Sequence, residues 1–384
     1  MKFVVTLMVR DEIDVIAAMI EHTLAQGPDV VIVTDNGSVD GTAEVLQEYA
    51  DRGLVELHHD PVHRKQQGSV VTGMARRART KYSADWVVNA DADEFWVPVD
   101  RTMTLRTALE RTPLSLNAFV VPVVNLVGPP ARRGSGFNRL VWRDLRSDDE
   151  LQAVGIHAQP TPNAVHRGEP DVVVAQGNHF VNIESNGQPS DDVALEVLHL
   201  PWRSWSQFEQ KVNHAGRAYE ASPDLRPSKN HHGMNDYRRS KSGRLLPAFL
   251  MRQPSRTELD DGQRDGVFVR DPWLGQHLRD LAGSAHLPDR LAPLLEDSDD
   301  GEFEEDFVEE QSRLGRQFLE LERERDAERK RADENRALAN RLSRQRDEAR
   351  AALRRAKGEG PFVDDARALA RRAAKGVHRR LLKS

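Results

Sequence analysis

Residues 3–9 and 30–34 are two short, almost wholly apolar runs, and what lies between them constrains the fold more than any other feature. Ile13, Ile16, Ala17, Ile20 and Leu24 recur there at the three- and four-residue steps of one helix face. Runs this apolar suit strands covered on both sides, and two strands joined through a helix lie parallel with a right-handed crossover. The unit repeats: Ala43, Val45, Leu46 and Tyr49 mark a second helix, and a third strand is expected around residues 54–58. The chain is therefore expected to be α/β, with a mixed, mainly parallel sheet flanked by helices.

Each strand opens into a polar segment. Arg10-Asp11-Glu12-Ile13-Asp14 follows the first. Asp35-Asn36-Gly37-Ser38-Val39-Asp40-Gly41-Thr42 follows the second, with glycines for positive φ and several residues able to cap a helix. A third apolar run, residues 85–90, ends in Asp91-Ala92-Asp93-Glu94 ahead of Phe95-Trp96. Strand interiors exclude charge, so these carboxylates are expected at the carboxyl end of the strand, on the rim where open α/β sheets collect ligands. If strand alternation persists, Asp91 and Asp93 share one side. Two hard oxygen ligands there suit Mg²⁺ or Mn²⁺, its shell completed by substrate phosphates. Taken singly, each residue has an ordinary explanation: Asp40 as a helix cap, Asn36-Gly37 as a turn, Asp-x-Asp as a solvated acidic turn. Their convergence on one rim is what points to a site.

These segments, in this order, look like glycosyltransferases of family 2 type with the GT-A fold. The branch they resemble has an acidic motif reading Asp-Ala-Asp-Glu-Phe, as residues 91–95 do here. The resemblance covers roughly residues 1–215. It implies a Rossmann-like domain that binds a nucleotide-diphosphate sugar (UDP-, GDP- or dTDP-linked) through Mn²⁺ or Mg²⁺. It further implies that Asp35 reads the base, with Arg10, Glu12 and Asp40 near the nucleoside. Asp91 would lie near the ribose or metal, and Asp93 would be the principal metal ligand. Asn36 departs from the pattern, since such proteins often carry Asp or Gly there; the amide keeps hydrogen bonding but removes a charge. Arg76 is similar to a basic residue that follows a glutamine in this branch. His199 resembles the histidine that completes the metal shell, and Arg203 and Lys211 resemble groups that neutralise the departing diphosphate.

Read from the residues alone, other assignments stay open. Arg76 fits an exposed basic helix face, His199 a packed histidine after a short strand, and Arg203 and Lys211 an ordinary charged helix surface. Residues 118–127 and 137–143 read as strands. Residues 129–136, rich in Gly, Pro and Arg, form a loop that either covers the acceptor side or only connects them. Inverting transfer to an acceptor hydroxyl, which the resemblance suggests, calls for a general base. His179 and Glu94 are the candidates, although Glu94 could instead orient the metal ligands from behind.

Composition narrows the remainder. A formal net charge of -6 at pH 7 gives no reason to expect nucleic acid as a partner. The absence of cysteine excludes disulfides, zinc-thiolate sites and cysteine catalysis, and is compatible with a reducing cytosol. The first strand starts at residue 3, so no signal peptide is expected, and no apolar run reaches transmembrane length. The expected location is cytoplasmic.

Four regions are expected: a catalytic domain over 1–220, a loop-rich and helical acceptor-side extension over 221–300, a long charged helix over 303–357, and a basic amphipathic helix over 361–384. Leu314, Phe318, Leu321, Leu342 and Leu353 fit a coiled-coil seam, but Arg325, Glu328, Asn335 and Arg346 share it. A homo-oligomer through a weak coiled coil and a solitary helix supported by ion pairs both remain open. In the last region Phe362, Ala366, Leu369, Val377 and Leu381 line one face, while Arg367, Arg371, Arg372, Lys375 and Arg379 crowd the rest. That pattern suits either an anionic membrane surface, peripherally on the inner face of the cell membrane, or docking on protein. The expected activity is that of a metal-dependent hexosyltransferase acting on a glycan or lipid-linked acceptor in bacterial glycan or glycolipid synthesis. A nucleotidyltransferase would need a glycine-rich basic phosphate loop near the amino terminus, and none is present. A non-catalytic scaffold recruiting partners through the tail would leave Asp91-Ala92-Asp93 without a role.

Overall fold

The computed structural model describes residues 1–62, 67–220, 232–296, 301–357 and 364–372. Contacts group it into two units, Met1–Leu319 and Glu320–Ser384. The first unit opens with β1 (Phe3–Val9), α1 (Ile16–Ala25), β2 (Val30–Asp35), α2 (Thr42–Asp51), β3 (Glu56–His59), α3 (Gln67–Tyr82) and β4 (Trp86–Ala90). β5 (Glu94–Pro98), α4 (Leu105–Arg111), β6 (Ala118–Val121), β7 (Val123–Val127), β8 (Trp142–Asp144), α5 (Asp148–Ala153) and β9 (Asn163–Arg167) follow. β10 (Leu195–His199), α6 (Trp205–Glu220), α7 (His232–Lys241), α8 (Leu245–Leu250), α9 (Arg256–Asp265), β11 (Phe268–Arg270), α10 (Trp273–Ala282) and α11 (Pro288–Leu295) complete it, before α12 (Glu305–Ala356) begins.

The main sheet has the order β3-β2-β1-β4-β9-β6. Its first four strands are parallel, and β9 runs antiparallel to both β4 and β6. Pleat alternation explains the three layers. Val5, Leu7 and Val9 turn toward α1 and α2, while Val4, Ile32 and Val87 pack with Val71, Met74, Ala75 and Ala78 of α3. Leu274, Leu278, Leu291 and Leu295 of α10 and α11 join the first of these cores. α10 and α11, within the stretch expected as an extension, therefore share a hydrophobic core with the sheet, because they also bury an apolar stripe.

A second sheet, β11-β8-β7-β10-β5, is antiparallel except where β7 and β10 run parallel. The run 118–127, expected as one strand, is two. Pro122 separates them: its carbonyl accepts from Val197 N at 2.9 Å, but proline has no N–H for a ladder. β6 stays in the main sheet and β7 enters the second. The strand expected over 137–143 shortens to β8. Gly136, at φ 85°, begins a turn in which the amides of Arg139 and Leu140 return to the Gly136 carbonyl.

Within the first unit, residues 305–319 of α12 are anchored by buried Val308 and Leu319, and a Cβ at Gly315 would lie 2.5 Å from the Pro247 carbonyl. In the second unit, Leu321, Leu338, Leu342 and Leu353 are each at least half exposed. Residues 364–372 are helical; the rest of the expected amphipathic helix, like His63 to Gln66 and His231, lies outside the described residues. No described helix is long and apolar enough to cross a membrane.

Candidate functional site

A cleft of about 330 Å³ opens at the carboxyl ends of β1, β2 and β4. Residues 8–12, Asn36, Gln67 and Asp91 to Asp93 form one side, and Gln210, Lys211, His214 and Ala218 of α6 form the other. Sheet topology puts the cleft there. Parallel strands end together, and the loops beyond them carry the polar groups that the strands cannot.

The acidic motif does not continue as a strand. The amide of Glu94 donates to the Asp91 carbonyl at 3.1 Å, closing a turn that brings Asp91 and Asp93 together without strand alternation. Asp91, partly buried, accepts from Gln67 Nε2 and Asn178 Nδ2, each at 3.0 Å. Burial and the adjacent Asp93 push Asp91 up to about 6. Burial acts on Asp93 in the same direction, but Lys211, His199 and Arg203 outweigh it and hold Asp93 well below the usual carboxylate range. Lys211 Nζ lies 2.6 Å from Asp93 Oδ2. His199 Nε2 faces the same oxygen at 3.8 Å, with its Nδ1 paired to Asn125 Oδ1 at 2.8 Å.

Glu94 lies behind this turn. It opens β5 opposite His199, accepts from Asn163 Nδ2 at 2.7 Å, and is pushed well above its ordinary value by burial and by Asp91. Asn163 in turn meets His179 Nδ1 at 2.9 Å, and burial lowers the His179 imidazole. His179 keeps partial exposure whereas Glu94 is buried.

Several residues stand elsewhere than expected. Arg203 is fully buried and lies beneath the cleft. Its guanidinium donates to Asp14 Oδ2 at 2.8 Å and to Glu12, and reaches Asp93 only at 3.5 Å. Arg76 donates to the Val172 and Asp171 carbonyls, away from the cleft. The Asp35 carboxylate folds back onto the Gly37 and Ser38 amides at 3.2 Å and does not line the cleft. Asn36 does line it. Its Nδ2 is held by the Asp60 and Val62 carbonyls, and Arg10 donates to its backbone oxygen at 2.8 Å. Asp40 accepts from the Thr42 amide and hydroxyl at the start of α2 and pins the Ile13 amide at 3.0 Å. Arg10, Glu12, Asn36, Asp91, Asp93 and Lys211 are thus the expected residues that the structure gathers in one cleft.

Asp11, expected on the rim, receives its partners from the structure, and further residues emerge only there. Asp11 takes the left-handed conformation, φ 53°, holds the Val39 amide, and faces His214 Nδ1 at 2.9 Å. Asp14, Gln67, Asn125, Asn163 and Asn178 support the charged groups. An asparagine inside an apolar strand, as in Val123-Val124-Asn125-Leu126-Val127, was a signal in plain sight: buried amides need partners.

Residues 4–162 match the family described as glycosyl transferase family 2. The matched stretch runs from β1 to the residue before β9. Among solved structures, S. aureus TarS 1–349 is 14% identical over 85% of this chain and 92% of its own, with a TM-score of 0.33. Glucosyl-3-phosphoglycerate synthase from Mycobacterium tuberculosis, solved with Mn²⁺, UDP and glucosyl-3-phosphoglycerate, is 16% identical. It covers 66% of this chain and 81% of its own, with a TM-score of 0.27. No curated protein matches the chain.

Proposed function

We propose that the protein is a metal-dependent, inverting hexosyltransferase that takes its sugar from a nucleotide-diphosphate donor. The observation that carries this reading is the cleft itself. Asp91 and Asp93 meet Lys211 at one end, and Arg10, Asn36 and the Asp11 loop form the other. A nucleoside fits the second end and a diphosphate the first. Asn36, with its Nδ2 committed to backbone carbonyls, is better placed than Asp35 to offer an acceptor oxygen to a base.

Among the described residues no three histidine or acidic side chains are grouped to hold a metal by themselves. Asp93 and His199 nonetheless suit Mn²⁺ or Mg²⁺: the imidazole Nε2 faces the carboxylate, and Asn125 orients the ring from its other nitrogen. Held by these residues, such an ion would supply Lewis-acid stabilisation of the leaving diphosphate. Lys211 supports the same charge. Its side chain is 46% exposed, so it can turn from Asp93 to a phosphate. Arg203 acts by holding Glu12 and Asp14 in place. His179 is the better candidate for the base, because it keeps partial exposure while Glu94 is buried and held by Asn163 Nδ2.

The acceptor we propose is a glycan or lipid-linked hydroxyl in bacterial glycan or glycolipid synthesis. Exposed leucines on the second unit are available for pairing two copies, and the alternation of apolar and basic residues in the sequence of 361–384 suits an anionic membrane surface on the cytoplasmic side. Sedimentation of the full chain and flotation with anionic liposomes test these two; a monomer that stays in the aqueous phase would remove both.

The donor proposal is tested by thermal-shift titration with UDP, GDP and dTDP, each with Mn²⁺ or with EDTA. A rise of about 3 kcal/mol in apparent stability is expected for one nucleotide at roughly 100 times its Kd, and only with the metal. A flat response to all three would sink the donor-site assignment.

A further inference from the structure

A second cleft, of about 360 Å³, lies outside the catalytic machinery, between the β8–β11 pair and α9. Its walls are built by regular structure. Trp142 and Arg270 are directly opposed in the antiparallel β8–β11 register, so their side chains leave the same face. Arg256, Leu259 and Asp260 stand at the one-, four- and five-residue positions of α9, so they share one helix face against it. Glu302 closes the rim and pairs with Arg256 at 2.5 Å. Arg139 lines the floor and donates to the carbonyls of Pro129 and Arg203. An occupant would therefore lie one side chain away from the backbone that carries the buried arginine beneath the donor cleft.

The chemistry of the lining is mixed in a specific way. Three guanidinium groups (Arg139, Arg256, Arg270) face two carboxylates (Asp260, Glu302), and a half-buried indole supplies the apolar wall. Among the described residues, neither Arg270 nor Asp260 has a side-chain hydrogen bond or ion pair, although both border the same concavity. A pair of opposite charges left unused at one cleft marks groups that ligand atoms can satisfy. A carboxylate accepts from hydroxyls, an indole face covers the C–H side of a sugar ring, and a guanidinium forks onto phosphate. The lining has one positive charge in excess, and its volume is at the small end for ligand sites.

We propose that this cleft binds a monosaccharide unit carrying one phosphate group, with Arg270 on the phosphate, Asp260 on ring hydroxyls and Trp142 beneath the ring. The site stands apart from the donor cleft, and its test does not depend on the transferase reading. Titration calorimetry of the full chain with glucose 6-phosphate, glucose and inorganic phosphate would measure it. Glucose 6-phosphate is expected to bind at least about tenfold more tightly than either fragment, since it alone uses the guanidinium and the carboxylate together. Arg270→Glu and Asp260→Asn change exposed side chains and should leave the fold intact, yet each should weaken glucose 6-phosphate by about tenfold. Asp93→Asn, which disables the donor cleft, should leave this binding unchanged. Loss of binding in Asp93→Asn with none in Arg270→Glu would place the sugar phosphate in the donor cleft and overturn the proposal. So would equal binding by Arg270→Glu and wild type, or no binding of any of the three probes.

Discussion

Asp93→Asn is expected to remove the metal-dependent response to nucleotide and to lower sugar transfer by about 10³-fold, the scale of losing one preorganised charge at a diphosphate leaving group. The substitution keeps the volume and the hydrogen-bonding oxygen, so the effect is one of charge. Asp93 is the carboxylate toward which Lys211, His199 and Arg203 all converge, at 2.6, 3.8 and 3.5 Å. Their pull outweighs burial and holds Asp93 well below the usual carboxylate range. Stability should suffer less than activity, because Arg203 retains Glu12 and Asp14. Thermal-shift titration with Mn²⁺ and the responding nucleotide, run beside a transfer assay, checks both halves. If the Asp93→Asn variant still bound nucleotide only with Mn²⁺, the metal site would have to lie elsewhere.

Arg203→Met should instead act on the fold. The guanidinium is wholly buried, and Glu12 and Asp14 receive it. Removing one partner of a buried ion pair strands the other, at about 3–5 kcal/mol. Lys211→Met provides the contrast. Its ammonium is half-exposed and shares Asp93 with others, so folding should change by no more than about 1 kcal/mol while nucleotide binding weakens. Urea denaturation of the two variants separates the roles. Equal stability of Arg203→Met and wild type would return Arg203 to the list of diphosphate ligands.

The parallel core was legible because it is local. Val4 and Val5 already alternate between two apolar environments, and helix faces at three- and four-residue steps announce the crossovers. The acidic rim was legible for a related reason: Asp91, Asp93 and Glu94 cannot remain inside a strand. The break at Pro122 was visible too, yet the run 118–127 was apolar on both sides of it, and pattern alone does not say that two halves enter different sheets. The Arg203 guanidinium was invisible as a buried group, since its partners Glu12 and Asp14 lie 191 and 189 residues away in the chain.

What the sequence by itself determined is which chemistry this protein carries and at which strand ends: carboxylates after β4, a polar turn after β2, and a charged loop after β1. Periodicity and the exclusion of charge from strand interiors suffice for that, because both act within one segment. Only the tertiary structure decided which of those groups face the cleft. Asn36 lines it and Asp35 turns back on its own loop, Lys211 reaches it and Arg203 lies beneath, and Glu94 is enclosed while the partly buried Asp91 lines the cleft. Neighbours in sequence part ways there because burial and charge pairing are set by elements far apart along the chain.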